Sequence, residues 1–193
     1  MKVAKTEDDF HVISEQTIKI TAIPDGSVLD VGGGGEGIIA QIGGKRITAV
    51  DRLQSEIDEA KPRAPDANWV CADATKLVFP DESFDNATSF FSGMYMTKET
   101  LTGVFREVYR LIPENGAFWI WDAIIDYESG PFVIYLRIET PSGRVITTGY
   151  GIGRVERNRT ATDIQQLLQE CGFSIEEVRA HQYWYFIVAK KKG

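Results

Sequence analysis

The spacing of apolar positions changes several times along the chain, and each change marks an element. Residues 27–31 (Ser-Val-Leu-Asp-Val) are a short apolar run that enters four consecutive glycines, Gly32 to Gly35. That is the pattern of a buried strand running into a tight turn. Ile38, Ile39 and Ile42 then recur at helical spacing, and Gly43-Gly44 stops the helix. Residues 46–51 predict a second strand, and 53–60 a helix that ends before Pro62. A third strand is predicted at 68–72 and a fourth at 84–91. From 98 to 112, Leu101, Val104, Phe105, Val108 and Leu111 fall on one helical face, closed by Pro113 and Gly116. Residues 117–121 (Ala-Phe-Trp-Ile-Trp) are apolar on both faces and predict a central strand.

The alternation of strand and helix breaks after this strand. Phe132, Ile134, Leu136 and Ile138 alternate with Val133, Tyr135, Arg137 and Glu139, and Pro141-Ser142-Gly143 turns into residues 144–148. This predicts an inserted β-hairpin. A helix is expected from near Thr162, with Gln165 completing a capping box and Ile164, Leu167, Leu168 and Cys171 as its stripe. Two strands follow, at about 173–180 and 183–189. They lie too close in sequence to be parallel. The expected fold is therefore α/β. It is a Rossmann-like three-layer sandwich with a mostly parallel sheet of about seven strands, the last antiparallel, plus the hairpin.

Composition narrows the partners. The 193 residues suit a single domain. A core at about 27–122 would be followed by the hairpin at about 131–150 and a C-terminal helix and two strands at about 160–190. The formal net charge of -7 argues against the broad basic face of a nucleic-acid binder. Cys71 and Cys171 form no CxxC, and His11 and His181 are the only histidines, so no metal site is expected. The N-terminal residues lack the apolar stretch of a signal peptide, and no apolar run is long enough to span a bilayer. The expectation is a cytoplasmic protein acting on something small, with no membrane partner.

The glycine run carries the chemistry. Gly32, Gly34 and Gly37 satisfy GxGxxG, a dinucleotide fingerprint, and Asp51 ends the second strand where an acid can grip ribose hydroxyls. An NAD-binding oxidoreductase is one reading. Charge favours another. A pyrophosphate at the helix N-terminus is disfavoured by nearby carboxylates, and Asp30 and Glu36 flank the glycines. They suit a ligand with an ammonium group and no phosphate, such as S-adenosylmethionine. Asp30 is placed to hold that ammonium through water, or only to cap the loop. Asp73, after the third strand, is placed to accept from an adenine amino group. Ala74 can offer its N–H to the ring, and Arg52 can lie along the adenosine or stay solvated.

At this point the chain resembles a known family. Residues 28–34 (Val-Leu-Asp-Val-Gly-Gly-Gly) resemble the first motif of class I S-adenosylmethionine-dependent methyltransferases, and Ala49-Val50-Asp51 the second-strand acid motif. Residues 72–85 resemble the third and fourth motifs of the small-molecule branch, methyltransferase type 11. Residues 105–116 resemble the segment leading to the fifth strand, with Pro113-Glu114-Asn115-Gly116 in place of Pro-Gly-Gly. The family's third motif glycine stands at Gly37 rather than at 36, and the hairpin is an insertion. The resemblance implies methyl transfer from S-adenosylmethionine to a small-molecule acceptor. It also implies that Ser89 and Phe90, at the end of the fourth strand, lie where cofactor and acceptor meet.

With Asp30, Gly32, Gly33, Gly34, Asp51, Arg52, Asp73 and Ala74, these two complete the expected cofactor set. Methyl transfer is an in-line displacement in which the protein supplies alignment and desolvation, so no catalytic residue need be visible. Candidates on the acceptor side are Tyr95 after the fourth strand, Asp122 after the fifth, Tyr150 after the hairpin, and His11. The hairpin could cover the pocket or form a homodimer contact. Arg154, Arg157 and Arg159 are expected to be a solvated basic loop. The short N-terminal cap and the absence of an obvious acceptor-side base leave a second reading from a different class, a non-catalytic cofactor-binding or scaffold subunit.

Overall fold

The computed structural model describes residues 11–126, 130–153 and 159–192. In chain order its strands are β1 (His11–Lys19), β2 (Val28–Val31), β3 (Ile47–Asp51), β4 (Asn68–Cys71), β5 (Asn86–Phe90), β6 (Ala117–Ala123), β7 (Phe132–Glu139), β8 (Val145–Ile152), β9 (Phe173–Ala180) and β10 (Trp184–Lys191). The α-helices are α1 (Ile38–Gly43), α2 (Gln54–Ala60), α3 (Lys98–Leu111) and α4 (Ala161–Glu170). Seven strands form one sheet in the order β4-β3-β2-β5-β6-β10-β9. Strands β2 to β6 are parallel, and β10 runs antiparallel to both β6 and β9. This is the expected Rossmann-like arrangement with an antiparallel final strand.

The two faces of this sheet bury different clusters. Leu29, Ala87, Phe118, Ile120, Tyr185 and Ile187 pack against the stripes of α3 and α4. Val28, Phe90, Trp121, Phe186 and Val188 point the other way, toward α1 and a second sheet. That second sheet has three strands in the order β1-β7-β8. Its inner residues Ile13, Ile18, Phe132, Ile134, Leu136, Ile138 and Ile146 are all buried. The small sheet thus covers the β5–β6–β10 half of one face.

Several sequence-based expectations change here. The hairpin is not alone: β1, a strand the apolar pattern did not predict, pairs with β7 in parallel. Strand β8 runs on to Ile152, so Tyr150 lies inside the hairpin rather than after it. Asp122 lies inside β6 and is only 1% exposed, not in a loop beyond it. Helix α4 starts at Ala161, and its capping box pairs Thr160 with Asp163 instead of Thr162 with Gln165. The side chain two residues earlier wins because Thr160 keeps the extended backbone an N-cap needs. Arg154, Arg157 and the intervening Glu156 fall outside the described residues. Among the described residues, no helix is long and apolar enough to cross a membrane.

Candidate active site

The chain runs from β2 outward to β3 and β4, then returns to β5 on the other side of β2. The C-terminal ends of β2 and β5 therefore flank a topological switch point, where open α/β sheets bind ligands. The glycine loop fills that point. Gly32 sits at φ +70°, and a Cβ there would lie 2.4 Å from Ser92 Cβ. A Cβ on Gly33 would lie 2.5 Å from Asp30 Oδ2 and 2.9 Å from Ala49 Cβ. One on Gly34 would lie 2.5 Å from Glu56 Cβ and 2.7 Å from Asp51 Oδ2. The loop is thus held against its own strand ends at distances that only glycine permits.

Each predicted carboxylate takes a distinct environment. Asp51 spans the loop and its own strand end: Oδ2 accepts from Gly34 N at 3.1 Å, and Oδ1 from Leu53 N at 3.0 Å. A carboxylate has about four acceptor sites, so ribose hydroxyls can share these oxygens. Asp30 is buried beneath the loop and accepts from Thr88 Oγ1 at 2.8 Å. Burial pushes its pKa up to about 7, against the Thr88 hydrogen bond and with the help of the Asp51 charge. Asp73 is exposed and closes a turn, accepting from Thr75 N at 2.9 Å and Thr75 Oγ1 at 2.7 Å. Those bonds hold its carboxyl below the usual range, with Arg52 a weaker contributor. Ala74 follows on the same turn. Strand register puts Asp51 beside Cys71, so Arg52 and the Asp73–Ala74 turn follow adjacent strand ends on one side of the switch point.

The other end is made by β5. Ser89 and Ser92 share a hydroxyl–hydroxyl contact at 2.8 Å, and Ser92 Oγ donates to Val31 O at 2.9 Å. Ser92 therefore ties the turn after β5 to the start of the glycine loop. Phe90 is buried in an aromatic group, 5.0 Å from Phe91 and 6.0 Å from Trp121 between ring centroids. Phe91 holds φ +50°, a left-handed conformation that a bulky residue adopts only when its surroundings impose it. Tyr150 of β8 stacks on Phe91 at 5.4 Å and 19°. Burial raises the pKa of its hydroxyl, and the nearby Tyr95, Glu36 and Asp30 add to the rise. The small sheet thus delivers Tyr150 to the switch point.

The remaining acceptor-side candidates separate. Tyr95 lies in the turn after β5, half-exposed, with its hydroxyl facing the Gly151 amide of β8. Burial of that hydroxyl pushes its pKa up to about 12. Asp122 is buried, accepts from Ala123 N at 2.8 Å, and has its Oδ2 against Gly93. Burial raises its pKa to about 7, while Arg159 and nearby amides oppose the rise. His11 lies at the start of β1 beside Phe132, which in turn pairs with Ile152. It is thus two strands away from Tyr150's strand. Arg159 is not a solvated loop residue: its guanidinium donates to the carbonyls of Gly93 and Met96.

Residues 29–120 match the sequence model of the family described as methyltransferase domain. Over these residues the chain carries a methyltransferase domain. Among solved structures, the fold is similar to that of a methyltransferase from Methanosarcina mazei, with a TM-score of 0.67, 18% identity, and 89% of this chain and 95% of that chain covered. A protein from Pyrococcus horikoshii OT3 aligns with a TM-score of 0.65 and 19% identity, covering 88% of this chain and 84% of that one. The glycopeptide N-methyltransferase MtfA, solved with S-adenosylhomocysteine, aligns with a TM-score of 0.64 and 11% identity, covering 88% and 82%. No curated protein matches the sequence.

The geometry of this methyltransferase fits a cationic, phosphate-free cofactor. Asp30, Asp51 and Glu56 touch the glycine loop, and Glu36 lies at its end, 3.6 Å from Arg63. A pyrophosphate would meet these carboxylates at short range, whereas a sulfonium and an ammonium group are attracted to them. The sequence pattern missed Ser92 and Glu56 and read Arg159 as solvated charge. Glu56 had a usable signal, since it faces the loop from the first turn of α2. Ser92 and Arg159 had none, because each ties its neighbouring segment down through main-chain carbonyls.

Proposed function

We propose that this methyltransferase holds S-adenosylmethionine across the β2–β5 switch point and methylates a small-molecule acceptor seated beneath β8. The observation that carries this reading is the Asp51 carboxylate, fixed by Gly34 N and Leu53 N at the mouth of the glycine loop. There Asp51 grips the ribose, and Gly32 to Gly34 admit the amino-acid tail beside Asp30. Arg52, Asp73 and Ala74 border the adenine. Bound at this place, the cofactor supplies an electrophilic methyl carbon on a sulfonium. The chain's own task is alignment and exclusion of water: Ser89 and Phe90 form the floor, and Tyr150 the cover. Tyr95 and Tyr150 place two hydroxyls near the acceptor. An acidic chain of formal charge -7 favours a small acceptor over a nucleic acid. Two free cysteines are in keeping with the cytoplasm.

Calorimetric titration with S-adenosylhomocysteine tests the reading directly. The wild-type protein is expected to bind with micromolar-range affinity, and Asp51→Ala to bind at least tenfold more weakly. A folded wild type that gives no heat would overturn the proposal. Unchanged affinity in the variant would remove Asp51 from the ribose.

A further inference from the structure

The turn at residues 92–96 is gripped from both sides. From outside, Arg159 donates to two of its carbonyls, Gly93 O and, at 2.6 Å, Met96 O. Arg159 is itself fixed, because its backbone N–H and C=O pair with Ile125 just beyond β6. From inside, the Asp122 carboxylate lies under Gly93, so close that a Cβ there would come within 2.4 Å of Oδ2. The Gly93 and Met94 amides face the same carboxylate. One group thus holds the carbonyls of the turn and the other its amides.

This turn touches both halves of the site. At its start, Ser92 bonds Val31 O and leaves room for Gly32 only because that residue has no side chain. At its far end, Tyr95 faces the Gly151 amide of β8. A displacement of the turn therefore moves the glycine loop and the small sheet together.

We propose that Arg159 and Asp122 are positioning residues which, through the 92–96 turn, set the glycine loop and strand β8 in register for cofactor binding. Neither needs to touch the cofactor. The assignment rests on the proposed cofactor site but concerns residues outside it. A guanidinium suits the role because its planar fork reaches two carbonyls at once, while an ammonium is a single point charge.

Arg159→Gln and Arg159→Lys test it in the full chain, by calorimetry with S-adenosylhomocysteine and by hydrogen exchange of the free protein. Arg159→Gln is expected to weaken binding at least tenfold. It should also speed exchange in peptides covering both 90–97 and 146–152, with the β6 and β10 peptides unchanged. Arg159→Lys is expected to recover less than half of the lost affinity on a logarithmic scale. Affinity within twofold of wild type in Arg159→Gln would overturn the assignment. So would faster exchange confined to residues next to 159, or full recovery with lysine. If the wild type binds no S-adenosylhomocysteine, the cofactor reading fails, and the exchange pattern alone decides the coupling.

Discussion

The two sheets of this methyltransferase were built by different rules, and the contrast explains where its function can be found in sequence. In the large sheet, β2 to β6 mostly pair with a neighbour in chain order across a single helix, the exception being the crossover that sets β5 beside β2. Apolar runs, glycine stops and acids at strand ends all stand in order. In the small sheet, β1 pairs with β7 across most of the chain, and the pairing is parallel, so no turn announces it. Its register also shifts between Ile13 and Gln16, which interrupts the alternation that would mark a strand. The large sheet carries the glycine loop and the acids at the C-terminal ends of its strands. The small sheet carries Tyr150, which stacks on Phe91 at the end of β5.

The sharpest way to break this comparison is to fill the glycine loop. Gly33 has Asp30 Oδ2 and Ala49 Cβ where a side chain would begin. Gly33→Val is expected to abolish S-adenosylhomocysteine binding and to lower the melting temperature, since neither neighbour can retreat within the buried strand ends. Calorimetry and thermal melting check both. If the variant folded and bound normally, the loop would not be the tight cradle that separates the two regions.

The next test asks whether the small sheet is a folded layer or a loose appendage. Phe132 is fully buried between the sheets. Phe132→Ala is expected to cost about 3–5 kcal/mol, as truncations of packed aromatics do. A cost below about 1 kcal/mol in denaturant unfolding would mean that the layer is optional.

What was legible follows from the same contrast. Helices α1 to α3 and all seven strands of the large sheet lie within a few residues of where periodicity placed them, because each buries a local pattern. The hairpin was visible, but β1 and the length of β8 were not. β1 exposes Val12 and carries Ser14, Glu15 and Gln16 between its buried isoleucines. Within the site, acids that stand at strand ends were legible by position. Asp122 was seen as a candidate but misplaced by assuming that β6 stopped at Trp121, the last apolar residue. Arg159 looked like solvated charge because arginines in a polar stretch usually are. Its acceptors are carbonyls of Gly93 and Met96, and a main-chain acceptor leaves no mark in sequence.

The smallest expected effect separates the regions by pH. Asp30 and Asp122 both lie at the C-terminal edge of the large sheet, and burial raises each to about 7. In the unfolded chain both ionise near pH 4. Between those values the folded protein holds protons that the unfolded chain has released, so raising the pH favours unfolding. Their contribution is therefore full below pH 4 and is lost as pH rises through about 7. Allowing for relaxation around the buried groups, stability should fall by about 1–2 kcal/mol per group between pH 5 and pH 7. Asp122→Asn, which cannot titrate, should flatten that slope by one group's share in denaturant unfolding. Phe132→Ala should lower the whole curve and leave the slope intact, because it removes packing without touching either carboxyl. Parallel slopes in wild type and Asp122→Asn would show that this edge does not carry the pH response.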